Sequence, residues 1–136
     1  MAGYSGTALP KKLGIKPNGR VALVSPPPGF VEGLALPDGV RLRDSARGHN
    51  DVIVFFATRQ AELQRRFPKL ANGLDVSGGL WIAWPKRASG VVTDLTERIV
   101  REVGLAGGLV DNKVCAVDDT WSGLRFVYRV ADRPKQ

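Results

Sequence analysis

Two segments constrain what this chain can fold into more than any motif does: DVIVFFA at residues 51–57 and LWIAW at 80–84. A β-strand turns successive side chains to opposite faces, so a strand with one wet face alternates apolar with polar residues. Here the apolar residues are consecutive, six from Val52 to Ala57 and five from Leu80 to Trp84. Runs of that length, rich in β-branched and aromatic types, suit strands that are dry on both faces. Such strands need a covering layer above and below the sheet. The expected class is therefore α/β, with helices between strands.

The intervening sequence supplies those layers. Arg20 to Val24 reads as a first strand and Val40 to Leu42 as a weak second one. Between them SPPPGF rules out helix and central strand, because three prolines remove backbone donors; a short helix is expected at Phe30 to Ala35. Thr58 is placed to cap a helix from Arg59, with Leu63, Phe67 and Leu70 on one side and Pro68 kinking or ending it. A second helix opens at Thr93 or Asp94. Val92, Leu95, Ile99 and Val103 are its apolar stripe, Asp94–Arg98 and Glu97–Arg101 its i, i+4 pairs, and Gly104 its stop. Lys113 to Val117 and Leu124 to Val130 then read as a closing hairpin. Ahead of the first strand, Thr7 caps a turn through Leu13 that Gly14 ends. The expectation is one domain over residues 1–136, with a lead-in at 1–19 and a basic tail at 131–136. Its architecture is a three-layer Rossmann-like, methyltransferase-like α/β fold, mostly parallel, with a C-terminal antiparallel hairpin.

Composition excludes several classes. Hydrophobic residues at 43% and charged residues at 24% describe a globular chain rather than a disordered or fibrous one. No apolar run approaches the roughly 20 residues of a membrane helix, and Pro10, Lys11 and Lys12 interrupt the amino-terminal stretch. No membrane association is expected, and by elimination the reading is cytoplasmic. A single cysteine, Cys115, excludes an internal disulfide and a sulfur-rich zinc site, so no metal is expected. The one histidine, His49, lies in a polar loop and reads as a solvated side chain. Twenty Lys and Arg against 13 Asp and Glu give a formal charge of +7, which attracts anions, nucleic acid included.

In open α/β sheets ligands sit outside the carboxyl ends of the strands. Four segments should gather there: Ser25–Phe30, Ala57–Arg59, Pro85–Gly90 and, because the fifth strand runs parallel as well, Asp118–Gly123. Lys86 and Arg87, with the Ser89–Gly90 backbone just ahead of a helix, form a candidate site for phosphate or carboxylate. Arg59, Ser25 and Gly29 border it, and Trp121 and Ser122 offer a stacking surface or pack on the sheet. Asp118 and Asp119 read either as a base or cation ligand, or as acceptors for turn N–H groups. The main reading is a small protein binding a phosphate-bearing or anionic ligand, its cofactor unknown. A divergent or non-catalytic methyltransferase-like protein is the enzyme-class alternative. Asp44, just past the second strand, stands where dinucleotide-type folds put an acid for the ribose. Against adenosylmethionine binding in the usual manner, the glycine-rich turn is replaced by Ser25, Pro26, Pro27, Pro28 and Gly29. A third strand is also expected to be missing, since only eight residues link Leu42 to Asp51. A nucleic-acid-binding module and a partner-docking scaffold are the remaining readings.

Gly3–Thr7, Lys11–Lys16, Trp81–Lys86 with Ser89 and Gly90, Thr93–Glu97 and Lys113–Val127 together resemble the signature blocks of an uncharacterised bacterial family of small single-domain proteins. Ala8 departs from that pattern, where proline is expected at a helix start. The resemblance implies a bacterial cytoplasmic setting and a Rossmann-like domain, and it imports no activity.

Overall fold

The computed structural model describes residues 8–132. The expected Thr7 cap, the Gly3–Thr7 block, and Arg133 and Lys135 of the tail lie outside the described residues. Strands β1 (Arg20–Val24), β2 (Arg41–Arg43), β3 (Asn50–Phe56), β4 (Leu74–Pro85), β5 (Val110–Ala116) and β6 (Trp121–Val127) form one sheet. Its order is β2-β1-β3-β4-β6-β5. Strands β1 to β4 are parallel. Strand β6 runs antiparallel to both β4 and β5, so β5 points the same way as β1. The mostly parallel sheet with a terminal antiparallel hairpin is therefore the fold observed. Strand β6 lies between β4 and β5, so Val114 stands on an edge strand, 49% exposed.

Both long apolar runs are central. Ile53, Phe55, Leu80 and Ile82 face helices α2 (Gln60–Asn72) and α3 (Glu97–Ala106), meeting Leu63, Phe67, Val100 and Val103 there. On the opposite face Val52, Val54, Trp81 and Ala83 pack under α1 (Leu9–Leu13), Ile15 and Leu34. Right-handed crossovers explain the division. The chain leaves β1 for β2 in one direction along the sheet and leaves β3 for β4 in the other, so the two connections fall on opposite faces. Trp81, fully buried, donates its indole N–H to the Leu13 carbonyl at 3.0 Å and ties α1 to the sheet.

Several local expectations are corrected. Residues 28–33 form a run of turns rather than a helix, with Gly29 in the left-handed region at φ 81°. Helix α2 continues through Pro68 to Asn72. Proline deletes only its own N–H bond to the exposed Gln64 carbonyl, while the buried Leu70 and Ala71 keep the last turn docked. Thr58 does not cap this helix. Arg59 occupies the cap position, and Asp94 from the loop before α3 accepts the Gln60 N–H at 2.8 Å. Helix α3 starts later than expected, capped by Thr96, whose hydroxyl accepts the Ile99 N–H at 3.2 Å. Val92 lies outside it and is 75% exposed, and Val100 takes its place in the core. Arg98 pairs with Glu102 rather than Asp94, whereas the Glu97–Arg101 pair forms as expected. Gly104 does not end α3 but sits inside it, where a Cβ would run into the Phe126 ring. Strand β4 begins at Leu74, six residues before the LWIAW run, and β6 stops at Val127, leaving Val130 78% exposed.

Candidate functional site

The carboxyl rim of β1 to β5 carries the segments beginning at Ser25, Asp44, Ala57, Lys86 and Val117. Three interstrand steps of ~4.8 Å separate β2 from β4, so Asp44 and Lys86 lie about 14 Å apart along it. The rim thus divides into two groups of candidate residues.

On the β4 side the sequence-selected residues do come together. The Lys86 N–H donates to the Thr120 carbonyl at 2.7 Å, and Pro85 pairs with Trp121 in the ladder, as Trp84 does with Ser122. Their chemistry differs from the sequence reading. No helix starts after Gly90: residues 87–89 make one 3₁₀ turn, and α3 begins only at Glu97. Three of the backbone donors at and after this turn are already used internally. Ser89 N–H bonds the Lys86 carbonyl, Gly90 N–H the Arg87 carbonyl, and Val91 N–H the Ser89 hydroxyl. Trp121 is a packing residue. Its half-buried ring meets Phe56 edge-on at 5.1 Å, and Phe56 in turn meets Phe30 at 4.8 Å. Asp118 accepts the Thr120 and Trp121 N–H groups, both at 2.8 Å, which is the turn-stabilising alternative of its two readings. Arg59 is exposed beside α2.

On the β1–β2 side an open cleft of about 670 Å³ lies between the proline loop and the end of β2. Leu23, Val31 and Leu42 give it an apolar floor, Pro26 one wall, and Asp44 and Arg47 the other. Asp44 is exposed directly after the last β2 residue, where the sequence placed it. Ser25 closes β1 in the left-handed region at φ 56°, turning the loop sharply, and its hydroxyl accepts a long 3.5 Å bond from Arg66. Strand β3 follows β2 after only residues 44–49, so the strand expected to be missing between them is absent among the described residues. Sequence reasoning overlooked Arg43 and Arg47, which flank Asp44 in the cleft. The signal was present, since RLRDSAR packs three arginines around one aspartate.

No family model and no curated protein matches this sequence. Solved structures do match the fold. A SAM-dependent methyltransferase from Aquifex aeolicus superposes with a TM-score of 0.61 at 16% identity, covering 85% of each chain. Magnesium protoporphyrin IX methyltransferase from Synechocystis PCC 6803 with bound SAM gives 0.58 at 12% identity, over 89% of this chain and 74% of that one. In the same enzyme with bound SAH, this chain spans only 55% of the length. A ribosomal protein L11 methylase from Lactobacillus delbrueckii subsp. bulgaricus gives 0.58 at 13% identity, over 89% and 75%. At these identities the likeness is one of fold: the chain has the architecture of SAM-dependent methyltransferases.

Proposed function

We propose that this is a divergent methyltransferase-like protein that binds a nucleoside ligand of the adenosylmethionine class in the cleft over β1 and β2. The observation that carries the reading is Asp44, a carboxylate at the carboxyl end of β2 that faces the first-strand loop across an apolar floor. Leu23, Val31 and Leu42 suit the flat apolar faces of a base, and Asp44 can accept two ribose hydroxyls. The amino-acid end of such a ligand must be held differently from the usual manner. Pro26, Pro27 and Pro28 have no N–H to offer, and the Phe30 N–H is spent on the Pro27 carbonyl at 3.1 Å. Arg43 and Arg47 then supply the attraction for a carboxylate or phosphate, which joins the anionic-ligand reading to the nucleoside one. When bound, adenosylmethionine offers a methyl group for transfer; the residues described above bind and orient a ligand, and none is assigned as a base.

Calorimetry with adenosylmethionine and adenosylhomocysteine tests this reading. Binding that weakens at least tenfold in Asp44→Ala and is unchanged in a Lys86→Ala/Arg87→Ala double variant is the expected result. Absence of heat with both ligands, or loss confined to the Lys86/Arg87 variant, overturns it.

A further inference from the structure

A second cleft, of about 710 Å³, opens between the 44–49 connector and helix α2, and its walls carry Arg47 on one side and Arg65, Arg66 and Lys69 on the other. A buried polar clamp joins its two sides at one end. Asn50, fully buried, donates its side-chain amide to the Ala46 carbonyl at 3.0 Å and to the Gly73 carbonyl at 2.9 Å, binding the connector to the end of α2. Gly73 lets the two backbones touch, since a Cβ there would collide with the Ala46 carbonyl. The charge on the walls is poorly neutralised. Arg66 lies 3.9 Å from Glu62 and 4.9 Å over the Phe55 ring, while Arg47, Arg65 and Lys69 are exposed and form no ion pair among the described residues. Arg43, donating to the Arg47 carbonyl at 2.9 Å, extends the basic band toward the β2 edge, where Asp44 is the nearest acid in sequence.

We propose that this cleft binds the phosphodiester backbone of a nucleic acid, with Arg47, Arg65, Arg66 and Lys69 making the phosphate contacts. Arg65 and Lys69 stand one helical turn apart, about 6 Å along the axis, and Arg47 faces them from a different element. One phosphate satisfies one or two of these cations, whereas a chain of phosphates satisfies all four. The lining has no aromatic residue on which a base would stack. Recognition is therefore of the backbone and indifferent to sequence. The two clefts share Ser45 and Arg47, so Arg47 serves both this inference and the nucleoside reading, whereas Arg65, Arg66 and Lys69 line this cleft alone.

The test is fluorescence anisotropy with a labelled single-stranded 20-mer across a salt series. Four phosphate contacts predict a log–log salt slope of about −3, and Arg65→Glu/Lys69→Glu should lower affinity at least tenfold and flatten the slope by about 1.4. A Lys16→Glu/Arg129→Glu variant lowers the net charge equally at exposed sites elsewhere, and should change affinity less than about threefold. Equal losses in the two variants, or competition by inorganic pyrophosphate at the concentration where the oligonucleotide binds, overturn the proposal. Adenosylmethionine binding by Arg65→Glu/Lys69→Glu, measured alongside, should be unchanged, so that failure of one reading is separable from failure of the other.

Discussion

Gly104 shows how one residue's role depends on what lies across from it. In sequence it reads as a stop, because glycine after an apolar stripe commonly ends a helix. In the structure it is buried against the Phe126 ring, which Phe67 holds edge-on at 5.8 Å. Gly104→Ala should gain about 1 kcal/mol of helix propensity and lose about 1–3 kcal/mol to overpacking. A lower urea midpoint is the expected outcome, and a raised one would contradict the packing account. Asp51 makes a second residue-scale prediction. Its carboxylate accepts the Arg20 N–H at 2.8 Å and the guanidinium at 2.9 Å. The Arg20 side-chain hydrogen bond chiefly holds the carboxyl below the usual aspartate range, against an opposing effect of burial. A carboxyl whose folded pKa is depressed stabilises the fold above its unfolded pKa, near 3.9, and loses that contribution as pH falls through the folded value. The pair is exposed, 36% and 42%, so Asp51→Asn should cost at most about 1 kcal/mol at neutral pH. The gap to wild type should close below about pH 4 in stability measured against pH; a gap independent of pH would count against the pair.

At the scale of elements, the start of α2 depends on a loop 34 residues away in sequence. Asp94 caps Gln60, and the Thr93 hydroxyl donates to the Thr58 carbonyl at 2.6 Å, joining the starts of both helical connections. Asp94→Ala should therefore lower stability by about 1 kcal/mol. Thr58→Ala, the change that local sequence singles out, should cost about 0.5 kcal/mol or less in the same thermal or denaturant assay. The elements themselves were legible where the chain's own periodicity decided them. Both long apolar runs are central strands, and Leu63, Phe67 and Leu70 do face the sheet. What local pattern missed was decided by tertiary contact. Strand β4 begins at Leu74 and takes in the Asp75–Gly79 stretch because Asn50 and Val52 pair with Leu74 and Gly79 across a shifted register. Turns rather than a regular helix cover the other face at 28–33, where Leu34 and the packing of Phe30 on Phe56 anchor the segment and only isolated helical bonds form, such as Gly33 N–H to the Gly29 carbonyl at 3.1 Å.

At the scale of the molecule, strand direction was readable and strand adjacency was only partly so. The helical spacer between the two apolar runs accounts for β3 and β4 running parallel, yet nothing local says that β6 inserts beside β4 and leaves β5 at the edge. The polar Asp111, Asn112 and Lys113 of β5 were the available hint, since an edge strand tolerates them. The candidate site follows the same division. Asp44 could be found from its distance along the chain, whereas both clefts needed the connector, the proline loop and α2 placed in space. On the proposed reading the rim over β1 and β2, rather than the Lys86–Gly90 loop, takes the ligand. An amide-resonance NMR titration with adenosylhomocysteine tests it most directly. The account predicts shifts concentrated at Leu23, Ser25, Gly29 to Val31 and Leu42 to Arg47; shifts centred on Lys86 to Gly90 and Trp121, or none at saturating ligand, would contradict it.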